Sequence, residues 1–169
     1  MKFQLNELNT QNQAYINIYQ DDKHIGNLAI HWFRYDNQHQ LKTLLHDQNR
    51  CAQVACNIAA KYSQAPAVIA YISIIELDEN ARGQKYGTRI LEQVPQIMQQ
   101  LQLPRPDILC AYILPNYHVL SLQTYQHKSI TRIAHRKMRT IMHKTFQRAG
   151  FYMPSILHPS VVIKLLSPQ

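Results

Sequence analysis

Polar and apolar positions alternate over the first third of the chain and then change period. Residues 3–8 form a short possible strand. Residues 14–19 (AYINIY) alternate strictly, Asp21-Asp22-Lys23 supplies a turn, and residues 24–32 return as the second arm of a hairpin, with Gly26 a candidate bulge. Asp36-Asn37 breaks the chain again. From 41 to 62 the apolar positions recur at helical spacing: Leu41, Leu44, Leu45, Cys51, Ala52, Ala55, Ile58, Ala59 and Tyr62 fall on one stripe. Residues 68–77 (VIAYISIIEL) are a near-continuous apolar run, the pattern of a buried central strand. A second helix follows DENARGQKYG, with Ile90, Leu91, Val94, Ile97, Met98 and Leu101 on one face and Pro95 inside it, where a bend is expected. Residues 108–114 predict another buried strand. Ser129 reads as the N-cap of a third helix whose apolar face carries Ile133, Met138, Ile141, Met142 and Phe146, and Gly150 reads as the residue that ends it. Residues 160–166 give a last strand.

Strands and helices in this order predict an α/β fold with a mixed sheet and helices on its faces, in one domain spanning 1–169. Apolar residues make up 46% of the 169, enough for one sizeable core. No internal repeat or low-complexity tract is visible. The first ten residues hold no apolar run, and no stretch approaches the roughly 20 apolar residues of a membrane span, so a cytoplasmic location is expected. Cys51, Cys56 and Cys110 have no zinc or redox spacing and are expected as free, buried thiols. The nine histidines show no metal-binding pattern, and no metal is expected.

Charge changes the picture. The net charge is +8, and all ten acids lie at or before Asp107. Beyond it come only Lys128, Arg132, Arg136, Lys137, Arg139, Lys144, Arg148 and Lys164. Such a half projects a positive field that suits a polyphosphate ligand, a nucleic acid or an acidic protein, or serves as a solvated face.

The chemistry is concentrated at 74–91 (IIELDENARGQKYGTRIL), where a buried strand enters a loop that opens a helix. The first turn of a helix has unpaired amide donors and a partial positive charge. Gly83 and Gly87 let the backbone approach a ligand, and Arg82, Lys85 and Arg89 add full charges. Together they make a candidate phosphate site.

This segment resembles the signature of the GNAT acyltransferase superfamily, a Leu-x-Val strand end, a short loop, then Arg-Gly-x-Gly-x-Gly opening a helix. Here the series is Ile75-Glu76-Leu77, residues 78–81, then Arg82-Gly83-Gln84-Lys85-Tyr86-Gly87. Downstream, Phe146-Gln147-Arg148-Ala149-Gly150-Phe151 is similar to the family's helix end in aromatic-x-x-x-Gly-Phe. The helix at 41–62 resembles a bacterial and phage subgroup. The resemblance implies a GNAT-like, mostly antiparallel sheet that splays between the strands at 68 and 108 to admit acetyl-CoA. It implies that the backbone of Glu76, Leu77 and Asp78 lies along the acetyl and pantetheine part. Arg82, Gly83, Gln84, Lys85, Tyr86, Gly87 and Thr88 would hold the pyrophosphate. Lys85 stands where the family has its middle glycine, Phe146 where many members have a tyrosine that protonates the leaving thiolate, and Arg139 where an asparagine is frequent.

Transfer of acetyl to an amine needs a base to take a proton from the ammonium form. Glu76, at the end of the central strand, is the candidate by position. Tyr152 and Tyr117 are the candidate acids in place of Phe146. The expected activity is acetyl-CoA-dependent N-acetyl transfer to a primary amine of a small molecule or protein. Two alternatives stand beside it: an amine carried on RNA, as in aminoacyl-tRNA, and a non-catalytic protein that binds CoA or nucleic acid. The acceptor loops are expected at 37–49 and 115–128, and a homodimer is possible by analogy with the family.

Overall fold

In a computed structural model, the chain is described for residues 1–9, 12–35, 46–62, 67–113 and 128–166, with side chains for all of these except 7–9, 46–48, 62, 128–136 and 138. The alternating segments become β1 (Lys2–Asn9), β2 (Gln13–Gln20) and β3 (Lys23–Arg34), a meander of antiparallel strands. Then follow α1 (His46–Tyr62), β4 (Val68–Leu77), α2 (Tyr86–Gln100), β5 (Ile108–Tyr112), α3 (Lys128–Arg148) and β6 (Val161–Leu165). The element order is the one the hydrophobic pattern predicts. Leu41, Leu44 and Leu45 lie outside the described residues. α2 runs unbroken through Pro95. α3 begins at Lys128, so Ser129 sits in the first turn and not at the cap. The backbone there is already helical one residue before the serine, and a capping side chain does not by itself fix where a helix starts.

The six strands form one sheet in the order β1-β2-β3-β4-β5-β6. Only the β4–β5 pair is parallel, which the α2 crossover requires. The sheet is therefore mixed and mostly antiparallel, and helices cover both faces. On one face lie α2 and α3: Ile90, Leu91, Val94, Ile97, Met98, Phe146 and Ala149 pack on Leu28, Ile30, Ala70, Ile72, Leu109 and Val162. Each large aliphatic group buried here is worth about 1.5–3 kcal/mol relative to exposure. On the other face lies α1, whose Cys51, Ala52, Ala55, Cys56 and Ala59 pack on Ile69, Tyr71, Ile108, Cys110 and Ile163. Small residues along α1 let it sit close to the sheet. All three cysteines are free and buried, as expected. Burial pushes the Cys56 thiol up to about 11.

The end of α3 is fixed by its sequence. Gly150 takes φ 86°, its N–H donates to Gln147 O, and the N–H of Phe151 donates to Phe146 O. This is a Schellman motif, with the apolar contact that accompanies it supplied by the Phe146 and Phe151 rings, 5.1 Å apart and edge-to-face. Lys164 Nζ donates to Ala149 O at 2.8 Å, placing a cation at the negative end of the helix. The aromatic-x-x-x-Gly-Phe pattern thus has a complete structural cause in this chain. Among the described residues, no helix is long and apolar enough to cross a membrane.

Candidate functional site

β4 and β5 pair over four residues only, Ile69↔Ile108 through Ile72↔Ala111. β4 continues for five more residues on β3, ending at Leu77↔Gly26. Among the described residues, 73–77 have no strand partner on the β5 side, and Ile113 donates its N–H to Ser160, towards β6. The sequence-based expectation of divergence between these two strands corresponds to this register. Alternate N–H and C=O groups of 73–77 point into the gap, a row that suits an extended amide-bearing ligand.

Ser73 is a bulge on β4: Ile74 pairs with Ala29 and Ile72 with Ile30, with no partner for Ser73 between them. Its hydroxyl donates to Ala29 O at 3.3 Å. The extra residue resets the alternation. Ala70 and Ile72 face α2 and α3, and beyond the bulge Ile75 and Leu77 do so too. Ile74 and Glu76 therefore face the α1 side, where Glu76 is exposed.

After Leu77 the chain makes one 3-10 turn, Glu79–Ala81, and reaches α2 through residues 82–85. Asp78 N–H donates to Ile25 O, and the Asp78 carboxylate lies 3.3 Å from Nδ1 of His24, whose Nε2 is 3.1 Å from Asn27 Oδ1. Asn27 is the cross-strand partner of Glu76. Glu76, Asn27, His24 and Asp78 thus cluster at the loop end of the sheet. His24 and Asn27 were not singled out from the sequence. Three residues apart, they would fall on opposite faces under strict alternation; the skipped Ile25 brings them together, and nothing local in the sequence fixes that skip.

Arg82 Nε donates to Leu77 O at 3.0 Å, and Gln84 Nε2 to Asn80 O at 2.8 Å, so both side chains tie the loop together. The first intrahelical bond runs from Arg89 N–H to Lys85 O, and the Lys85 side chain makes no capping bond. Helix geometry therefore leaves the amides of Tyr86, Gly87 and Thr88 without intrahelical acceptors. Gly83 has φ 79° and open space around its missing side chain. Lys85 itself is left-handed, φ 63° and ψ 9°. It holds the conformation that a glycine at this position would adopt without strain, which costs about 1–2 kcal/mol for a residue with a Cβ. Lys85→Gly is therefore expected to raise stability by about 0.5–1 kcal/mol, after the extra chain entropy of glycine is set against the relieved strain. Lys85→Ala keeps the strain and should leave stability almost unchanged. Urea unfolding of the three proteins checks this, and equal midpoints for all three would refute it.

Gly87 lies in the first turn of α2, where its missing side chain also serves packing. A Cβ there would sit 3.3 Å from Thr145 Cγ2 and 3.8 Å from Leu77 Cδ1. The missing side chain lets α2, α3 and the end of β4 approach, and the amide is what remains for a ligand. The basic half is also partly committed to structure. Arg139 Nη2 donates to Ser160 Oγ at 3.1 Å, and Lys164 caps α3. Lys137, Lys144 and Arg148 are exposed. The side chains of Arg132 and Arg136, Tyr117, and residues 36–45 and 114–127 lie outside the described residues. Tyr152 bridges to Ile163 through its backbone and is 44% exposed, so it stands on the surface beside β6.

The chain matches no family model and no curated protein. Among solved structures it is similar to Tetrahymena GCN5, at 11% identity and a TM-score of 0.39, covering 94% of this chain and 71% of that one. It is similar to a Drosophila melanogaster polyamine N-acetyltransferase at 9% identity and a TM-score of 0.45, covering 90% and 74%. An agmatine N-acetyltransferase gives 8% identity and a TM-score of 0.46, again covering 90% and 74%.

Proposed function

We propose that this chain is an acetyl-CoA-dependent N-acetyltransferase that transfers acetyl directly to a primary amine of a small molecule or a protein. The observation that carries the reading is the half-paired β4. Residues 73–77 present a backbone edge beside β5 and lead, through residues 78–85, to the uncapped amides of Tyr86, Gly87 and Thr88. An extended amide chain ending in a pyrophosphate has the shape this arrangement accepts. The pantetheine arm would lie along the backbone of Glu76 and Leu77, with Asp78 at the turn. The pyrophosphate would meet the residues from Arg82 to Thr88, where the helix dipole and the Lys85 and Arg89 charges favour it. Once bound, acetyl-CoA supplies an activated acyl group whose thiolate is a fair leaving group, so no specific acid is needed and Phe146 is compatible with turnover. Glu76, exposed on the face opposite α2 and α3, supplies negative charge where an ammonium would approach.

Calorimetry with CoA tests the reading. Binding is expected, and replacing both Lys85 and Arg89 by Gln should weaken it about tenfold or more, about 1.4 kcal/mol. Absence of heat and of any thermal shift at about 1 mM CoA would refute it. Transfer to an RNA-borne amine stands second, since Arg139 and Lys164 of the basic half already serve the fold.

A further inference from the structure

β4 leaves β5 one residue after Tyr71, because the last two pairs are Tyr71↔Cys110 and Ile72↔Ala111. Directly across from Tyr71 on β3 is His31, with the two rings 6.1 Å apart between centroids. Opposed residues share a face. Tyr71 belongs to the core under α1, so His31 lies on the α1 side, at the inner end of the divergence. Further towards the loop that face carries Ile74, half-buried, and then Glu76, exposed. Neither belongs to the cluster under α1. Glu76, Ile74 and the His31–Tyr71 pair thus follow one another along that face, from exposed Glu76 to buried Tyr71, with the pair at the point where β4 and β5 part.

The geometry points to His31 as the group that takes the proton from the incoming ammonium, with Glu76 as the charge that draws the ammonium in. This rests on the acetyltransferase reading and moves the proton transfer away from Glu76, where the sequence placed it. Glu76 is four residues past Ile72, roughly 13 Å along the strand from the last β4–β5 pair. Burial holds His31 below the ordinary histidine range, so its imidazole is neutral at pH 7 and one ring nitrogen can accept a proton. Among the described residues its cross-strand partners are Gln13 on β2 and Tyr71 on β4.

R–NH3+ gives one proton to His31 and becomes R–NH2. Its nitrogen attacks the thioester carbonyl, forming the C–N bond, and the C–S bond then breaks. The CoA thiolate leaves with the second nitrogen proton, giving R–NH–acetyl and CoA–SH, and His31 returns its proton to solvent.

The experiment measures thiol release from acetyl-CoA with a short aliphatic diamine, lysine amide and a lysine peptide as acceptors. For the native protein, kcat should fall on the acid side through one group titrating below about 6.5. His31→Gln should lower kcat about 10²-fold and abolish that limb, with CoA affinity by calorimetry within twofold of native. Glu76→Gln should raise KM and leave kcat within a few-fold. A native kcat with no acid limb overturns the proposal even if His31→Gln fails to fold. So does a fall in kcat for Glu76→Gln that His31→Gln does not share. If the native protein binds CoA but acetylates none of the amines, the transferase reading and the role of His31 fall together. Transfer that is unaffected by His31→Gln removes only the latter.

Discussion

Replacing Gly26 with alanine is expected to destabilise the protein by at least about 3 kcal/mol, with a loss of about 6–12 °C in melting temperature. A Cβ on Gly26 would lie 2.1 Å from the carbonyl oxygen of Glu76 and 3.0 Å from Leu77 Cα. These are backbone atoms of the neighbouring strand, and no side-chain rotation relieves the contact. Either β3 separates from β4 at this pair or the pair re-registers, and both disturb the end of β4 where Glu76 and Asp78 are held. Gly26 also flanks a register shift, since Ile18 pairs with Gly26 and Tyr19 with His24, leaving Ile25 as the extra residue. That same Ile25 accepts the Asp78 N–H. Gly83→Ala is the control. Its Cβ meets nothing within 4 Å, and only its left-handed backbone is strained, so it should lose about 1 kcal/mol. Thermal and urea unfolding of both variants measure the contrast. A Gly26→Ala protein as stable as Gly83→Ala would show that β3 and β4 are not so closely apposed.

Phe146→Ala should lose about 3–5 kcal/mol, the range for emptying a buried aromatic site. Phe146 is 3% exposed, packs in the core under α2 and α3, and meets Phe151 edge-to-face across the Schellman turn. Removing the ring deletes core contacts and the apolar clasp of the helix end together. Phe146→Leu retains most of the volume and should lose about 1–2 kcal/mol. Phe146→Tyr adds a hydroxyl to a site with little access to water, so it should be destabilising by about 1–3 kcal/mol. A Phe146→Tyr protein as stable as native would contradict that and show that the ring edge reaches water or a hydrogen-bond partner. Equilibrium unfolding of the four proteins separates these outcomes. A loss below about 1 kcal/mol for Phe146→Ala would contradict the burial described.

Local periodicity determined much of this protein. The alternation at 14–19 and 24–32 fixes a hairpin, because a one-residue slip would turn Ile16, Ile18, Leu28 and Ile30 outward. The helical stripes at 51–59 and 90–98 fix which sides of α1 and α2 are buried. Gly150 and Phe151 after Phe146 fix a helix end, since the left-handed residue and its apolar clasp are neighbours in sequence. The loop after β4 was likewise legible as a place of uncapped amides and positive charge.

What the tertiary structure decided depends on register between distant segments. Nothing local in 68–77 shows that Ser73 is skipped in the pairing with β3, and that skip sends Glu76 to the α1 side and Leu77 to the other. Gly87 looked like a loop glycine until Thr145, 58 positions away, proved to be what its missing side chain admits. Arg139 and Lys164 looked like part of a free basic surface, and their carbonyl and hydroxyl partners come from other elements. His31 carried no motif. It became a candidate only because the antiparallel register sets it beside Tyr71, where β4 and β5 part. Side-chain pattern is a property of one segment and survives in the sequence, whereas register and strand divergence are properties of pairs and appear only when the chain is folded.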